Sequence, residues 1–165
     1  MILYHGTTLV IPQPRIIRSE QGRDFGSAFY TTDIQQQAER WAFRRARLET
    51  RLTRKPAVPI VNLYEWDDSA DLRILHFDEP SLEWLDMVVR CRSDVQHTHG
   101  YDIVIGKIAN DNVGETVNFV QQGIMRREDA VDRLRFEKIN NQLAFCTNQA
   151  LHSLRFLRSY QPEGT

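Results

Sequence analysis

Apolar positions fall into short stretches along the chain, and the composition of most of these stretches predicts β-strands. Segments rich in aliphatic, aromatic and β-branched residues, bounded by Gly, Pro, Asp or Asn, predict strands at 2–4, 28–31, 60–66, 72–77, 102–106 and 142–146. The turn chemistry of residues 67–69 favours a tight connection between the third and fourth strands. Thr147 is expected to cap a short helix that runs into 154–160, a last piece that also fits a strand.

A helical spacing of apolar residues follows the second predicted strand. Asp33 is a suitable N-cap, and Pro56 ends the pattern. The apolar residues with this spacing are Ile34, Ala38, Trp41, Ala42, Leu48 and Leu52. Shorter helices are predicted after 79–81, where Pro80 or Ser81 suits the first turn, and at 115–122 and 127–138, with Gly123 as a C-cap between them. Because strands and helices do not alternate regularly, the pattern predicts an α+β fold.

Composition and charge narrow the class of protein. A chain of 165 residues with 41% hydrophobic content can bury one substantial core but is too short for two ordinary domains, so residues 1–165 are expected to form a single domain. A formal charge of −1 gives no global attraction to nucleic acid or to anionic membranes. Cys91 and Cys146 lack disulfide-scaffold or metal spacing, and His97-Thr98-His99 is typical of a loop, so no metal is expected.

The distribution of apolar residues also bears on location. The first six residues lack the basic and long apolar regions of a signal peptide, and no run approaches the roughly 20 apolar residues of a membrane span. With two unpaired thiols, the sequence predicts a cytoplasmic protein without membrane contact.

Two motifs at the first two predicted strands carry the candidate chemistry. The sequence YHGT occupies residues 4–7, and GSAFYTT occupies residues 26–32, directly before the longest predicted helix. Together they resemble the first two signature segments of the ADP-ribosyltransferase superfamily, of the His-Tyr-Glu type found in poly-ADP-ribose-polymerase-like and diphtheria-toxin-like enzymes. His5 and Tyr30 stand at the matching positions. The third signature element, a glutamate at the start of a late strand, corresponds to Gln142.

The resemblance implies NAD as co-substrate, with His5, Tyr30 and Gln142 as the catalytic set. His5 would hydrogen-bond a ribose hydroxyl and Tyr30 would stack on the nicotinamide. Residues expected to contact or frame NAD are His5, Gly6, Thr7, Arg23, Gly26, Phe29 and Tyr30. Within this set, the backbone of Gly6 would approach the nicotinamide amide, and Arg23 would pair with the pyrophosphate. The implied architecture is an ADP-ribosyltransferase-like fold of small, split antiparallel or mixed sheets flanked by helices.

A glutamine in the glutamate position changes the expected activity. Gln142 can keep the hydrogen bond to the nicotinamide ribose but not the negative charge, which predicts slower chemistry or help from the substrate or another acid. Superfamily members without this glutamate generally do not build polymers, so mono-ADP-ribosylation is expected. Residues 101–111 and 142–151 extend the resemblance to an uncharacterised bacterial family with the same glutamine. Members are often encoded beside a small partner gene, which implies a toxin-like enzyme with an antitoxin-like partner and a protein or nucleic-acid acceptor.

Two other functions stay open at this point. The neutral Gln142 is also compatible with a catalytically silent module that binds NAD or ADP-ribose. Alternatively, the basic stretch 40–55 suits a nucleic-acid-binding helix. Arg45 interrupts its apolar stripe, which favours a buried or partner-directed pairing of that side chain.

Overall fold

The elements of the fold are taken from a computed structural model, which describes residues 1–18, 20, 22–107, 111–135 and 141–164. The strands of this part of the chain are Ile2–Thr7 (β1), Phe29–Thr31 (β2), Ile60–Trp66 (β3), Ile74–His76 (β4), Ile103–Lys107 (β5), Asn141–Phe145 (β6) and Leu154–Tyr160 (β7). Its helices are Gln35–Thr53 (α1), Leu82–Ser93 (α2), Asp111–Gln121 (α3), Arg127–Leu134 (α4) and Asn148–His152 (α5).

The strands form two small sheets, which confirms the predicted α+β class. The first sheet has the order β1-β3-β7, and both of its pairings are antiparallel. The second has the order β2-β6-β5-β4 and is mixed, because β4 runs parallel to β5 while the other pairs are antiparallel. The terminal segment 154–160, which fitted either a helix or a strand, is the edge strand of the first sheet.

The alternation of side chains along the strands explains how the two sheets and the helices are layered. In β3, Val61 and Leu63 face helix α1, while Tyr64 and Trp66 enter a cluster shared with the second sheet. In β5, Ile103 joins that shared cluster, while neighbours on the opposite face pack against α2, α3 and α4. Since successive strand residues point to opposite faces, the central strands β3 and β5 each bury side chains on both faces. The resulting order is α1, first sheet, second sheet, and then α2 to α4.

One short contact joins the two sheets at the N-terminal end of the fold. The amide of Tyr4 in β1 donates to the carbonyl of Thr32 at 2.8 Å, and the amide of Thr32 donates back at 2.9 Å. This bridge holds β1 beside the end of β2, although the strands belong to different sheets. The two sequence motifs are thereby brought side by side.

The tight connection predicted between β3 and β4 does not produce a hairpin. β3 lies between β1 and β7, whereas β4 pairs in parallel with β5 at the edge of the other sheet. Asp67 does take part in a local turn, since its carboxylate accepts hydrogen bonds from the amide and hydroxyl of Ser69. The segment after this turn crosses from one sheet to the other, and the turn residues alone contain no information about that crossing.

Helix α1 differs from its predicted start and from its predicted apolar face. The N-cap position is Ile34 and makes no side-chain cap, while the Asp33 carboxylate accepts a hydrogen bond from the Asn141 side chain at 3.1 Å. The buried face consists of Gln37, Ala38, Ala42 and Ala46. Three larger members of the predicted stripe, Trp41, Leu48 and Leu52, are exposed. Arg45, expected in a buried or partner-directed pairing, is exposed as well.

The predicted ends of the other helices agree more closely with the structure. The hydroxyl of Thr147 accepts from the amide of Ala150, which confirms it as an N-cap. Ser81, predicted with Pro80 for the first turn of α2, is instead the N-cap of that helix, and its hydroxyl accepts from the amide of Trp84. Gly123 has a φ of 72°, a left-handed conformation that suits a helix end. Helix α3 begins four residues before its predicted start, and the predicted end of the next helix, at 138, lies outside the described residues. No helix in the described part of the chain has the length and apolarity needed to cross a bilayer.

Candidate functional site

A cavity of about 200 Å³ lies where the bridge joins the two sheets. Five of the residues proposed from sequence line it, namely His5, Gly6, Arg23, Tyr30 and Gln142. They come from β1, from the segment before β2, from β2 itself and from β6. Residues more than 100 positions apart in the chain therefore meet at one concave site.

His5 is fixed by a bond across the two sheets. Its Nδ1 lies 2.7 Å from the backbone carbonyl of Tyr30, and its ring packs on Phe29 with centroids 4.5 Å apart. Because burial is the largest effect, the pKa of His5 falls from 6.5 to about 4, so the ring is neutral at pH 7. A carbonyl can only accept, which assigns the proton to Nδ1 and leaves Nε2 as an acceptor.

Tyr30 is held by its hydroxyl rather than by its ring. The hydroxyl donates to the carbonyl of Gly26 at 2.7 Å and accepts from the amide of Phe25 at 3.1 Å. Burial raises the pKa of the phenol, so it stays protonated. The guanidinium carbon of Arg23 lies 5.6 Å from the ring centroid, a cation–π contact on the aromatic face.

Gln142 belongs to a buried polar cluster with two residues that sequence reasoning did not assign to the site. Its Nε2 donates to Oδ2 of Asp24 at 3.3 Å, and both side chains are buried. The other carboxylate oxygen, Oδ1, accepts from Arg92 Nε at 2.8 Å and lies 2.6 Å from Arg92 Nη2. Asp24 and Arg92 also line the cavity. The neutral amide thus stands beside a carboxylate–guanidinium pair.

Helix α1 closes one side of the cavity and constrains β1. A Cβ on Gly6 would lie 2.0 Å from the carbonyl oxygen of Ala38 and 2.8 Å from the amide nitrogen of Ala42. Gly6 is therefore required for the close approach of strand and helix, independently of any ligand. The Gln37 side chain also ties α1 to β6, since it donates to the carbonyl of Asn141 at 2.7 Å and accepts from its amide at 3.2 Å.

Three residues of the predicted NAD set do not line the cavity. Thr7 is buried at the end of β1, opposite Ile60 of β3. Phe29 is 1% exposed and supports the His5 ring from the core. Gly26 has a φ of 79° and contributes the carbonyl that receives the Tyr30 hydroxyl. These three residues hold the walls of the site in position.

Other residues of the wall were not assigned to the site from the sequence, among them Asp24, Gln37, Trp41 and Arg92. Asp24 stands between Gly22 and Gly26, so its place next to the second motif was a usable signal. Arg92 lies in the last turn of α2, with no motif to mark it. Trp41 was predicted on the apolar face of α1, but its side chain lines the cavity and is 46% exposed.

A second, wider cleft of about 880 Å³ is lined by other residues, among them His97, His99 and Cys146. His99 is committed to structure, because its Nε2 lies 3.1 Å from the carbonyl of Phe25 and its Nδ1 accepts from the amide of Tyr101. Within the described residues there is no group of three or more His, Cys, Asp or Glu side chains that could hold a metal ion.

The match to a family model covers most of the chain. A family model described as "Protein of unknown function (DUF3990)" matches residues 1–156, and the chain therefore belongs to this family. No curated protein matches the sequence. The description of this family states no activity.

Proposed function

We propose that this protein is an NAD-dependent mono-ADP-ribosyltransferase of the His-Tyr-Glu type, with an ADP-ribosyltransferase-like fold and Gln142 in the glutamate position. The observation that carries the proposal is the convergence of His5, Tyr30 and Gln142 on one cavity, although they lie on three separate strands. The α+β architecture and the two separate sheets are both compatible with an ADP-ribosyltransferase-like fold.

The face of Tyr30 supports NAD as the ligand. A guanidinium, which is a planar cation, lies over this ring at 5.6 Å. The nicotinamide ring of NAD is also planar and cationic, and it could replace Arg23 by offset stacking, worth roughly 0.5–1.5 kcal/mol beyond burial. Arg23 would then be free to pair with the pyrophosphate.

The size of the cavity supports a ring-sized group inside it. Its 200 Å³ is below the roughly 300–1,000 Å³ of clefts that enclose whole drug-sized ligands. The nicotinamide and part of its ribose would enter, and the adenosine would extend outside. His5, with Nε2 as an acceptor, would take a hydrogen bond from a ribose hydroxyl.

The reaction requires no change of oxidation state. The bond between ribose C1′ and the nicotinamide nitrogen breaks, and both electrons leave with neutral nicotinamide. A nucleophile of the acceptor forms the new bond to C1′ and loses its proton to solvent or to a base. Because C1′ becomes oxocarbenium-like, electron density beside the ribose lowers the barrier. In this site that density would come through Gln142.

The biological setting is part of the proposal and rests on the resemblance. The acceptor would be a protein or a nucleic acid, and a small antitoxin-like protein encoded nearby would restrain a toxin-like activity in the cytoplasm. The exposed arginines of α1 offer a surface for an acidic partner or acceptor.

Transfer of label from NAD tests the proposal. Protein incubated with NAD labelled in the adenylate phosphate and with host lysate should yield a labelled macromolecule. His5→Ala should remove the labelled product, because the ribose loses its hydrogen-bond acceptor. The matched control, His152→Ala, changes an exposed histidine of α5 and should label as the wild type does. Equal labelling by His5→Ala would exclude this cavity as the reaction site.

The alternative is a silent NAD or ADP-ribose binding module, and the uncharged Gln142 favours it. Calorimetry separates the two functions, because a module would bind NAD saturably and leave it intact. An active transferase would consume NAD and release nicotinamide. A nucleic-acid-binding function of α1 would instead show affinity for DNA or RNA that falls steeply with salt and needs no NAD.

A further inference from the structure

We infer that Asp24 is a positioning residue that orients the Gln142 amide and supplies the negative charge which glutamine lacks. The inference rests on the proposed transferase function and extends it to a residue outside the two sequence motifs. Asp24, Gln142 and Arg92 all line the cavity.

A carboxylate determines which end of a neighbouring side-chain amide points towards it. In the contact between Gln142 and Asp24, the Nε2 end of the amide donates to carboxylate oxygen Oδ2 at 3.3 Å. The carbonyl oxygen Oε1 is then the end available to accept a hydrogen bond from a ribose hydroxyl. Without Asp24, the amide could turn and present a donor instead. In this way a glutamine is made to act as an acceptor, as a glutamate would.

Asp24 also contributes charge through the amide. A hydrogen bond from Nε2 to a carboxylate polarises the amide and increases electron density on Oε1, since linked hydrogen bonds strengthen one another in a buried setting. As the C1′–nicotinamide bond breaks and both electrons leave with the ring, that density faces the developing positive charge. The carboxylate itself stays one side chain away from the reacting atoms.

Arg92 holds the side chain of Asp24 in place. Its guanidinium contacts Oδ1 through Nε at 2.8 Å and Nη2 at 2.6 Å, which leaves Oδ2 directed to Gln142. The Arg92 side chain is 26% exposed and that of Asp24 is 9% exposed, so the pair is screened only partly by solvent. Strand β6, the segment before β2 and helix α2 therefore meet in one hydrogen-bonded chain.

Asp24→Asn tests the inference while keeping the size of the side chain. We expect kcat for nicotinamide release to fall about 10- to 100-fold, as when groups that orient a metal-ligating side chain are removed. KM for NAD should change little, because the lost effect acts in the transition state. Thermal melting confirms that the variant is folded. In ¹⁵N–¹H NMR spectra, the side-chain amide signal of Gln142, identified by its loss in Gln142→Glu, should move in Asp24→Asn.

A double variant that exchanges the carboxylate and the amide of Asp24 and Gln142 distinguishes a positioning role of Asp24 from a structural one. Gln142→Glu alone places two carboxylates in contact and should give no gain in kcat. In Asp24→Asn with Gln142→Glu, the new amide donates to the new carboxylate, and kcat should return to the wild-type value or exceed it. The inference is overturned if Asp24→Asn keeps wild-type kcat, or if Gln142→Glu alone raises kcat and the swap adds nothing. Wild type without any nicotinamide release would instead refute the transferase proposal itself.

Discussion

His5 illustrates how one side chain can link two strands and also line a cavity. Its Nδ1 hydrogen bond to the carbonyl of Tyr30 aligns β1 with β2, and its Nε2 is left as an acceptor. The ring is neutral because burial disfavours the charged form. The same burial makes the stability of the fold depend on pH.

Lowering the pH should destabilise the protein through His5. Between its ordinary pKa of 6.5 and its pKa of about 4 in the fold, the folded state binds fewer protons than the unfolded state. The free energy of unfolding should therefore fall as pH falls through this window, by up to about 1.4 kcal/mol per pH unit from this group. Urea unfolding at pH 7 and pH 5 measures the effect in wild type and in His5→Gln.

The difference between the two proteins isolates His5. Burial also lowers the pKa of His99, but both proteins retain that residue, so its contribution cancels. A stability that depends on pH identically in wild type and His5→Gln would show that His5 is not desolvated in the fold.

At the scale of elements, the contact between β1 and α1 explains why the sequence pattern predicted the helix but only part of its buried face. The apolar spacing included Ala38 and Ala42, which are buried, and also Trp41, Leu48 and Leu52, which are exposed. Gly6 and Ala38 approach too closely for a large side chain to fit between them. Hydrophobic periodicity gives the existence of the helix, while the size of the residues at the contact decides which face is buried.

Gly6→Ala should therefore destabilise the fold markedly. The added methyl group would meet backbone atoms of α1 at 2.0 Å and 2.8 Å, and backbone cannot move aside cheaply. We expect a loss of at least about 2 kcal/mol, near the usual cost of overpacking, and a melting temperature lower by several degrees. Gly114→Ala in helix α3 is the control, since the nearest heavy atom to the added Cβ is Nη1 of the Arg92 side chain, at 3.8 Å. That change should stabilise by about 0.5–1 kcal/mol. Equal melting temperatures would contradict the packing described.

At the scale of the whole molecule, local signals predicted the strands and some helix ends, but pairing between distant segments determined the site. Thr147 caps α5 as its local sequence indicates, whereas Asp33 does not cap α1. The placement of β4 beside β5, and of Asp24 beside Gln142 at a separation of 118 residues, depends on packing between distant segments. The spacing of residues along the sequence contains no information about such long-range contacts. The motifs at His5 and Tyr30 were informative because both residues line the same cavity.

Ligand binding at the junction of the sheets should stabilise the whole fold. A ligand that binds only the folded state adds about 2.7 kcal/mol at 100 times its Kd, which for a chain of this size corresponds to roughly 5–10 °C. At 100 times its Kd, NAD should raise the melting temperature of wild type by roughly 5–10 °C. The same NAD concentration should have little effect on the melting temperature of Tyr30→Ala. An equal shift in the variant would place NAD elsewhere on the protein. No shift in wild type would count against both NAD-dependent functions.

The most direct test of the proposed transferase is nicotinamide release from NAD, measured by chromatography for wild type, Tyr30→Ala and the control Tyr101→Phe. Tyr101 lines the other cleft, so its variant should keep the wild-type rate. We expect release by wild type and by the control, and its loss in Tyr30→Ala because the nicotinamide loses its stacking face. Release that persists in Tyr30→Ala, or none from wild type with host lysate and saturating NAD, would contradict the proposed function.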